Sequence, residues 1–267
     1  IQEYEGDPFV HTTIAPHAPY TVNDAALKHC AEISDKYGVP IHMHVNETAV
    51  EVSDSLRDHH ERPIDRLKRL GLLNERLIAV HSVHASDEDI TKMATAHASV
   101  CHCPCSNLKL ASGFAPIAKF LKAGINLGIG TDGAASNDKL DMLGETRLAA
   151  MLAKAVAQDP TAAPVFAMLE AATLGGARAL RWDADIGSLE IGKAADLFAI
   201  DLGTPESLPV ADPAAQILYS AGRECITHTW VDGRLIMEKH ARAAYPQTDA
   251  LAAAALCAQK WQSRLKN

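Results

Sequence analysis

The segment PIHMHVNET, residues 40–48, joins a short apolar run to three polar side chains that can carry chemistry. Side chains two positions apart on a β-strand point to the same face, so a strand over 39–45 would present His42 and His44 together. Glu47 follows three positions after His44. The segment therefore has two interpretations: a His-x-His metal pair, or one metal-binding histidine followed by a glutamate that transfers protons.

Strand-like and helix-like stretches alternate around this segment. Capping signatures at Thr21 with Asp24 and at Ser86 with Asp89 predict two helix starts, and Gly38 predicts a helix end. The alternation predicts βαβ units and a parallel sheet. The predicted strands are 8–15, 39–45, 76–83, 99–103 and 125–131, and the predicted helices are 22–38, 63–71, 87–97 and 116–123.

The pattern changes after Asp132. Two alanine-rich helical stretches, 141–158 and 163–180, follow each other without a strand between them. Short β segments are then predicted within 186–202 and 224–240, and a final helix over roughly 247–265. The dipeptide Asp232-Gly233 in the second β segment predicts a hairpin turn.

Composition excludes several classes of protein. The chain has 267 residues, 48% of them apolar, and can bury a sizeable core. A net charge of −8 argues against a nucleic-acid partner, which needs clustered Lys and Arg. We find no apolar run of the ~18 residues that a membrane span needs, and no signal peptide. The cysteines do not follow the spacing of a secreted disulfide framework, so we expect reduced thiols and a cytoplasmic protein.

Polar residues cluster at the carboxyl ends of the predicted strands, where β/α barrels build their active sites. Imidazole and carboxylate groups suit Zn²⁺ or another first-row divalent ion, which lowers the pKa of a bound water from ~15.7 to ~7. Any one of these residues alone is more often structural, but strand ends converge in space. The cluster consists of His17, His44, Glu47, His81, His84 and Asp132.

The segment CHCPCSN, residues 101–107, offers an alternative metal site made of thiolates. Cys101, Cys103 and Cys105 are separated by single residues, whereas paired zinc cysteines usually have two or more residues between them. Cysteines in such a pattern on a strand simply alternate. We therefore do not favour a separate thiolate site.

Six motifs resemble the amidohydrolase superfamily, and within it the 5-methylthioadenosine/S-adenosylhomocysteine deaminases and their triazine-hydrolase relatives. They are PHAPYT, HMHVNETAVEV, VHSVH, SNLKLASG, GTDGAASNDKLDMLGETRLAAML and IGSLEIGKAADL, and they span essentially the whole chain. The resemblance implies an α/β fold, a (β/α)8 TIM barrel with a small β-sandwich. Residues 1–182 would supply the C-terminal part of the barrel (about strands 4–8), 183–240 part of the β-sandwich, and 241–267 a C-terminal helix.

The resemblance also implies a role for each polar residue. His44 and Asp132 would bind the metal, and Glu47 would be the catalytic acid and base. His81 would orient the attacking water or polarise the substrate. His17 and His84, together with Glu47 and Asp132, would contact the substrate. His42 would be a packed interior side chain.

The function implied is metal-dependent hydrolytic deamination of a 6-aminopurine nucleoside: 5′-methylthioadenosine, S-adenosylhomocysteine or adenosine. One Zn²⁺, or Fe²⁺ or Mn²⁺, is expected per subunit, in a homodimer or higher homo-oligomer. The alternatives are a related ring hydrolase, of the chlorotriazine hydrolase or guanine deaminase type, and an inactive barrel fragment acting as a non-catalytic module. The family's second metal motif, a His-x-His pair on the first barrel strand, has no counterpart here. We therefore expect these residues to be the C-terminal part of a longer polypeptide.

Overall fold

The computed structural model describes residues 1–205, 207–238, 241, 242, 252, 255–257, 259 and 260. The chain divides into two compact units, Ile1–Ser188 and Leu189–Asn267. Most of the helix predicted over 247–265 lies outside the described residues.

The first unit contains a four-stranded parallel sheet in the order β1-β2-β3-β4. Its strands are β1 (Ile41–Val45), β2 (Leu77–His81), β3 (Ser99–His102) and β4 (Asn126–Ile129). The predicted α/β class and parallel sheet are confirmed, and four of the five predicted strands form where the sequence placed them.

Helices connect these strands and continue after β4. The helices of this unit are α1 (Asp24–Tyr37), α2 (Ala49–His59), α3 (Pro63–Arg69), α4 (Asp87–Thr95), α5 (Pro104–Lys109), α6 (Ile117–Lys122), α7 (Met142–Ala157), α8 (Val165–Ala171) and α9 (Leu174–Ala179), with a 3₁₀ turn at Gln2–Tyr4. Two of them, α2 and α5, were not predicted. The helical stretch predicted over 163–180 is two helices, which are separated at Thr173, where φ is −130° and ψ is −94°.

The prediction of a strand over residues 8–15 is wrong. Only Ile14 pairs with the sheet, through a parallel bridge to Ile41. Pro8 and Pro16 lack the amide hydrogen that a ladder needs, and the Phe9 side chain is 67% exposed instead of packed. The segment therefore lies beside β1 and pairs with it only at Ile14, so it is not a full strand.

The helix ends lie at the predicted capping residues, except at the start of α1. Ser86 and Asp89 form the predicted capping box at α4, and Gly38 ends α1 with φ of 66°. The predicted cap at Thr21 is wrong. The cap of α1 is Asn23, whose side chain accepts a hydrogen bond from the Ala26 amide, and the Thr21 hydroxyl instead bonds the backbone of Ala18.

The apolar core of the first unit packs against the parallel sheet. Every residue of β2 is buried, whereas His42 and His44 on one face of β1 are only half-buried. The largest fully buried side chains are Leu27, Ile41, Met43, Ile64, Leu67, Leu72, Leu77, Met93, Ile117, Phe120, Met168 and, in the second unit, Leu218. This packing holds the strands in register, so that their carboxyl ends form one edge.

The second unit contains a four-stranded antiparallel sheet in the order β5-β6-β7-β8. Its elements are β5 (Leu197–Ile200), α10 (Pro213–Tyr219), a 3₁₀ turn at Arg223–Cys225, β6 (Ile226–Val231), β7 (Arg234–Glu238) and β8 (Ala241–Arg242). Asp232 and Gly233 have φ values of 49° and 72° at the turn between β6 and β7, which confirms the predicted hairpin.

Within the part of the chain that the structure describes, no helix has the length and apolar character needed to cross a membrane.

The close contact between α9 and β4 gives a test of the packing. A Cβ on Gly175 would overlap the Leu127 carbonyl oxygen, whereas a Cβ on the neighbouring Gly176 would meet nothing within 4 Å. We expect Gly175→Ala to lower the free energy of unfolding by about 1–3 kcal/mol or more, the usual cost of overpacking. Gly176→Ala should leave it unchanged or raise it by up to ~1 kcal/mol, because alanine favours helix. Urea unfolding of both variants measures the difference, and equal effects would contradict the packing described here.

Candidate active site

Three metal-ligating side chains meet at the carboxyl edge of the parallel sheet. His44 comes from β1, His81 ends β2, and Asp132 lies in the loop after β4; one ligand atom from each lies within 4.8 Å of the others. His81 and Asp132 have positive φ values of 69° and 60°. Left-handed backbone is costly for residues other than glycine and is concentrated at functional sites. The strand ends therefore turn their side chains toward one point.

The ring of His44 is oriented by the backbone of the preceding segment. Its Nδ1 lies 2.6 Å from the His17 carbonyl oxygen, which can only accept, so Nδ1 carries the proton. The Nε2 atom then presents a lone pair. A hydrogen bond of this kind, from the far nitrogen to a backbone carbonyl, is the usual support of a metal-binding histidine.

His81 is buried and is held by an amide. Its Nδ1 donates to Asn107 Oδ1 at 2.8 Å, and its Nε2 lies 4.0 Å from the Glu47 carboxylate. Burial lowers the pKa of His81, outweighing the opposite effect of Glu47. The ring is therefore neutral at pH 7 and, like His44, presents an Nε2 lone pair to the site.

Asp132 is fixed by two hydroxyl groups. Ser106 and Ser136 each donate to its Oδ2 at 2.6 Å, so neither occupies Oδ1. Burial raises the pKa of Asp132, but the two hydroxyl hydrogen bonds outweigh it and bring the pKa below its ordinary value. The group is therefore a carboxylate at neutral pH.

Glu47 lies beside the metal-ligating cluster. Its Oε1 accepts a hydrogen bond from the Ser112 hydroxyl at 3.2 Å, and its Oε2 faces the His81 ring. The side chain is 16% exposed. The carboxylate is thus partly shielded and stands next to the atoms that would hold a metal.

A second carboxylate, Glu51, holds the backbone beneath Glu47. Its Oε1 accepts from the Asn46 amide at 2.9 Å and its Oε2 from the Glu47 amide at 2.7 Å. Asn46 has φ of 53°, so the chain turns sharply here. Burial raises the pKa of Glu51 even though backbone amides bond its carboxylate. Sequence reasoning missed this residue, although Thr48 with Glu51 three positions later matches a capping-box signature.

Four further polar residues support the site and were also missed as individual contributors. They donate to, or accept from, the carboxylates and imidazoles described above. The motifs SNLKLASG (106–113) and GTDGAASN (130–137) contain all four and are the signal that could have found them. They are Ser106, Asn107, Ser112 and Ser136.

His17 lies at the same edge of the sheet, and its ring centroid is 4.8 Å from that of His44. The ring of His84 bonds the Ser112 carbonyl through Nε2 at 2.7 Å and so anchors the loop that carries the Ser112 hydroxyl. Substrate contact by these two histidines stays a prediction, as do the catalytic and metal-binding roles of the other predicted residues.

Neither His42 nor a cysteine belongs to the candidate ligand cluster, which among the described residues consists of His44, His81 and Asp132. Burial, together with His44, lowers the pKa of His42, as expected for a packed interior histidine. His102 is buried, neither ring nitrogen has a hydrogen-bond partner, and burial lowers its pKa to about 3.

The donor set fits a divalent transition metal. Two imidazoles and a carboxylate, each already oriented by a further hydrogen bond, are the three protein ligands expected of a catalytic zinc site. The sequence had suggested two ligands, His44 and Asp132. The structure adds His81 to the candidate cluster, because it brings the end of β2 beside the end of β1.

An experiment can distinguish the roles of the two histidines of β1, His42 and His44. The loss of a residue that only supports a metal ligand typically lowers metal affinity ~10–100-fold. The loss of a ligand itself should cost more, so we expect His44→Ala to weaken Zn²⁺ binding by more than about 100-fold. His42→Ala, the matched control two residues earlier, should keep the affinity within about threefold. Calorimetric titration of metal-free protein with Zn²⁺ measures both. Equal losses would assign a ligand role to His42 as well.

Comparisons with known proteins identify the family of the chain. The amidohydrolase family model matches residues 1–236. The 5-methylthioadenosine/S-adenosylhomocysteine deaminase of Caldanaerobacter subterraneus is 43% identical over 230 residues, which cover 86% of this chain and 53% of the relative. That of Symbiobacterium thermophilum is 44% identical over 227 residues, 84% of this chain and 52% of the relative. The chain thus spans about half the length of these curated relatives.

The chain is also similar to solved structures of hydrolases. An adenosine deaminase from Xanthomonas campestris with bound zinc has a TM-score of 0.95 and 46% identity, over 99% of this chain and 60% of that one. The zinc complex of an atrazine chlorohydrolase from Arthrobacter aurescens has a TM-score of 0.85 and 26% identity, over 96% of this chain and 58% of that one.

Proposed function

The chain belongs to the amidohydrolase family, and on that premise we propose that it carries the catalytic groups of a metal-dependent hydrolase that deaminates a 6-aminopurine nucleoside and releases ammonia. The observation that carries the proposal is the cluster of His44, His81 and Asp132, with ligand atoms within 4.8 Å of one another and Glu47 beside them. The parent substrate would be 5′-methylthioadenosine, S-adenosylhomocysteine or adenosine.

His44 and Asp132 would hold the metal, with His81 as a third donor or as the group that orients the water. Zinc suits this donor set best, with Fe²⁺ or Mn²⁺ as the other candidates and one ion per subunit. A bound ion of this kind supplies a water whose pKa lies near ~7 instead of ~15.7.

Glu47 would move the proton that the purine ring needs. Addition of water at C6 places negative charge on N1, and a carboxylic acid at this position neutralises it by protonating N1. The Ser112 hydroxyl and the backbone held by Glu51 fix the direction of the Glu47 side chain. Having given its proton to N1, Glu47 would be a carboxylate that can take up a proton from the attacking water and then pass it to the departing amine.

Asp132 and His81 would orient the attacking water. The serine hydroxyls keep Asp132 ionised and bond only its Oδ2, so Oδ1 can accept a hydrogen bond. Neutral His81 is held by Asn107 with its Nε2 toward the site. His17 and His84 would contact the substrate.

The names of similar proteins support an adenine nucleoside as substrate. The curated relatives that are 43% and 44% identical are called 5-methylthioadenosine/S-adenosylhomocysteine deaminases, and the zinc-containing structure with a TM-score of 0.95 is called an adenosine deaminase.

The proposal includes the remaining expectations from the sequence. Residues 1–182 would be the C-terminal part of a (β/α)8 barrel and 183–240 part of a β-sandwich, to which the antiparallel sheet of the second unit would belong. The protein would work in the cytoplasm, where reduced thiols persist, and the cysteines that the structure describes are free. It would form a homodimer or a higher homo-oligomer.

A ring hydrolase with another leaving group is the second candidate function. The support is the likeness to the atrazine chlorohydrolase, whose TM-score is 0.85 and whose identity is 26%. A substrate panel separates the two: ammonia released from 5′-methylthioadenosine supports the deaminase, and chloride released from a chlorotriazine supports the relative. Zinc binding without turnover of either class would support a non-catalytic module.

Replacing Glu47 tests its role in proton transfer. Glu47→Gln keeps the size of the side chain but removes the proton-transfer group, and such groups typically contribute ~10²–10⁴-fold to rate. We expect kcat for deamination to fall by about that factor while zinc affinity stays within about threefold. Ammonia release and zinc titration on the same preparation measure both. A variant with full kcat would assign the proton transfer to another group.

Replacing Glu51 tests whether it positions Glu47. A glutamine offers one acceptor oxygen for two backbone amides, and one lost hydrogen bond to a charged group is worth about 1.5 kcal/mol, or about tenfold in rate. We expect Glu51→Gln to lower kcat about tenfold with KM nearly unchanged.

Asp54→Asn is the control for Glu51→Gln. Asp54 lies on the same helix but pairs with Arg57 at the surface, so its replacement should leave kcat unaltered. A Glu51→Gln variant that lost stability but kept its kcat would show that Glu51 only supports the fold.

A further inference from the structure

Two thiols converge on one point beside the proposed metal site. A Cβ placed on Gly130 would lie 2.9 Å from the Cys101 Sγ and 3.2 Å from the Cys103 Sγ, so the missing side chain of Gly130 makes room for both sulfurs. Gly130 is held by its amide to the His102 carbonyl at 2.9 Å, between the two cysteines in sequence. The pair is thus enclosed by β3 and the end of β4.

The two thiols differ in exposure and in acidity. Cys101 is partly exposed, whereas Cys103 is 2% exposed. A hydrogen bond from Cys103 lowers the pKa of Cys101, and the same interaction, with burial, raises the pKa of Cys103. One thiol is therefore suited to attack and the other to remain protonated until it is needed.

The backbone allows the sulfurs to meet. Residues two apart on a strand are separated by about 6.6 Å between Cα atoms, near the upper end of the range that disulfides span. Cys103 is the first residue beyond β3 and has φ of −120° and ψ of 75°, so it has left the regular pleat. Both sulfurs lie within 3.2 Å of the point that a Cβ on Gly130 would occupy, so they face each other across that space.

We propose that Cys101 and Cys103 form a redox-active dithiol that a peroxide oxidises to an intramolecular disulfide. The Cys101 thiolate attacks one peroxide oxygen, the O–O bond breaks, and Cys101 becomes a sulfenic acid while water leaves. The Cys103 sulfur then attacks the Cys101 sulfur and displaces a second water. Two thiols and one hydrogen peroxide give one disulfide and two waters; sulfur is oxidised and the peroxide oxygens are reduced.

The bond would act on the site through α5. Cys103 caps this helix, whose residues Ser106 and Asn107 hold Asp132 and His81. Drawing Cys103 toward Cys101 shifts the start of α5 and so disturbs both hydrogen bonds. Oxidation is therefore expected to weaken zinc binding, and reduction to restore it.

The test is peptide mapping of the full chain after treatment with hydrogen peroxide at one to five equivalents. The expected product has lost two hydrogen atoms and carries a Cys101–Cys103 bond that dithiothreitol reverses. Cys101→Ser and Cys103→Ser should each abolish it. Cys30→Ser, a cysteine on α1 outside the pair, is the matched control and should form the bond as the unaltered chain does.

Three outcomes would overturn the proposal: a bond from either cysteine to Cys105, irreversible sulfinic acid at Cys101, or no oxidation of the pair under conditions that oxidise exposed Cys257. Peptide mapping detects the disulfide bond directly. Its result therefore does not depend on the substrate or on the deaminase proposal. Zinc titration of the oxidised and reduced forms then measures the effect on the site, expected to be a loss of about tenfold in affinity.

Discussion

The parallel register of β1 and β2 is the constraint on which the site depends. His44 pairs with Val80 and Val45 with His81, so the two strands end side by side. The strand ends then adopt left-handed backbone at Asn46 and His81, which directs side chains over the edge of the sheet. The buried side chains of Ile41, Met43 and Val45 hold this register, because a slip by one residue would bring His42 and His44 to their face of the sheet.

Each chemical group at the edge is held by a residue from another part of the chain. His17 supplies a carbonyl to His44, Asn107 of α5 bonds His81, Ser106 bonds Asp132, and Glu51 of α2 holds the backbone of Glu47. The connecting helices therefore do more than cover the sheet. Since α5 carries the partners of two cluster members and has Cys103 as its N-cap, a movement of Cys103 would also move those partners.

Much of the fold could be read from local patterns. The strands β1 to β4, the capping box of α4 and the turn at Asp232 follow from apolar periodicity and capping residues, which act over a few positions. The errors have local causes as well. The segment 8–15 has strand-like composition but pairs only at Ile14, and Thr21 has the chemistry of a cap but bonds Ala18 instead. Composition cannot report whether a partner strand or a free amide is available.

The sequence by itself determined the parallel α/β sheet, the chemical types at the strand ends and the likeness to a family of hydrolases. It left His42 and His44 as equal candidates by spacing, and only the resemblance chose between them. The tertiary structure decided that His81 joins His44 and Asp132 within 4.8 Å, that Glu51 supports Glu47, and that two thiols share the space over Gly130. These contacts join residues on different strands, loops and helices, and their distances are set by packing and register, which no local pattern encodes.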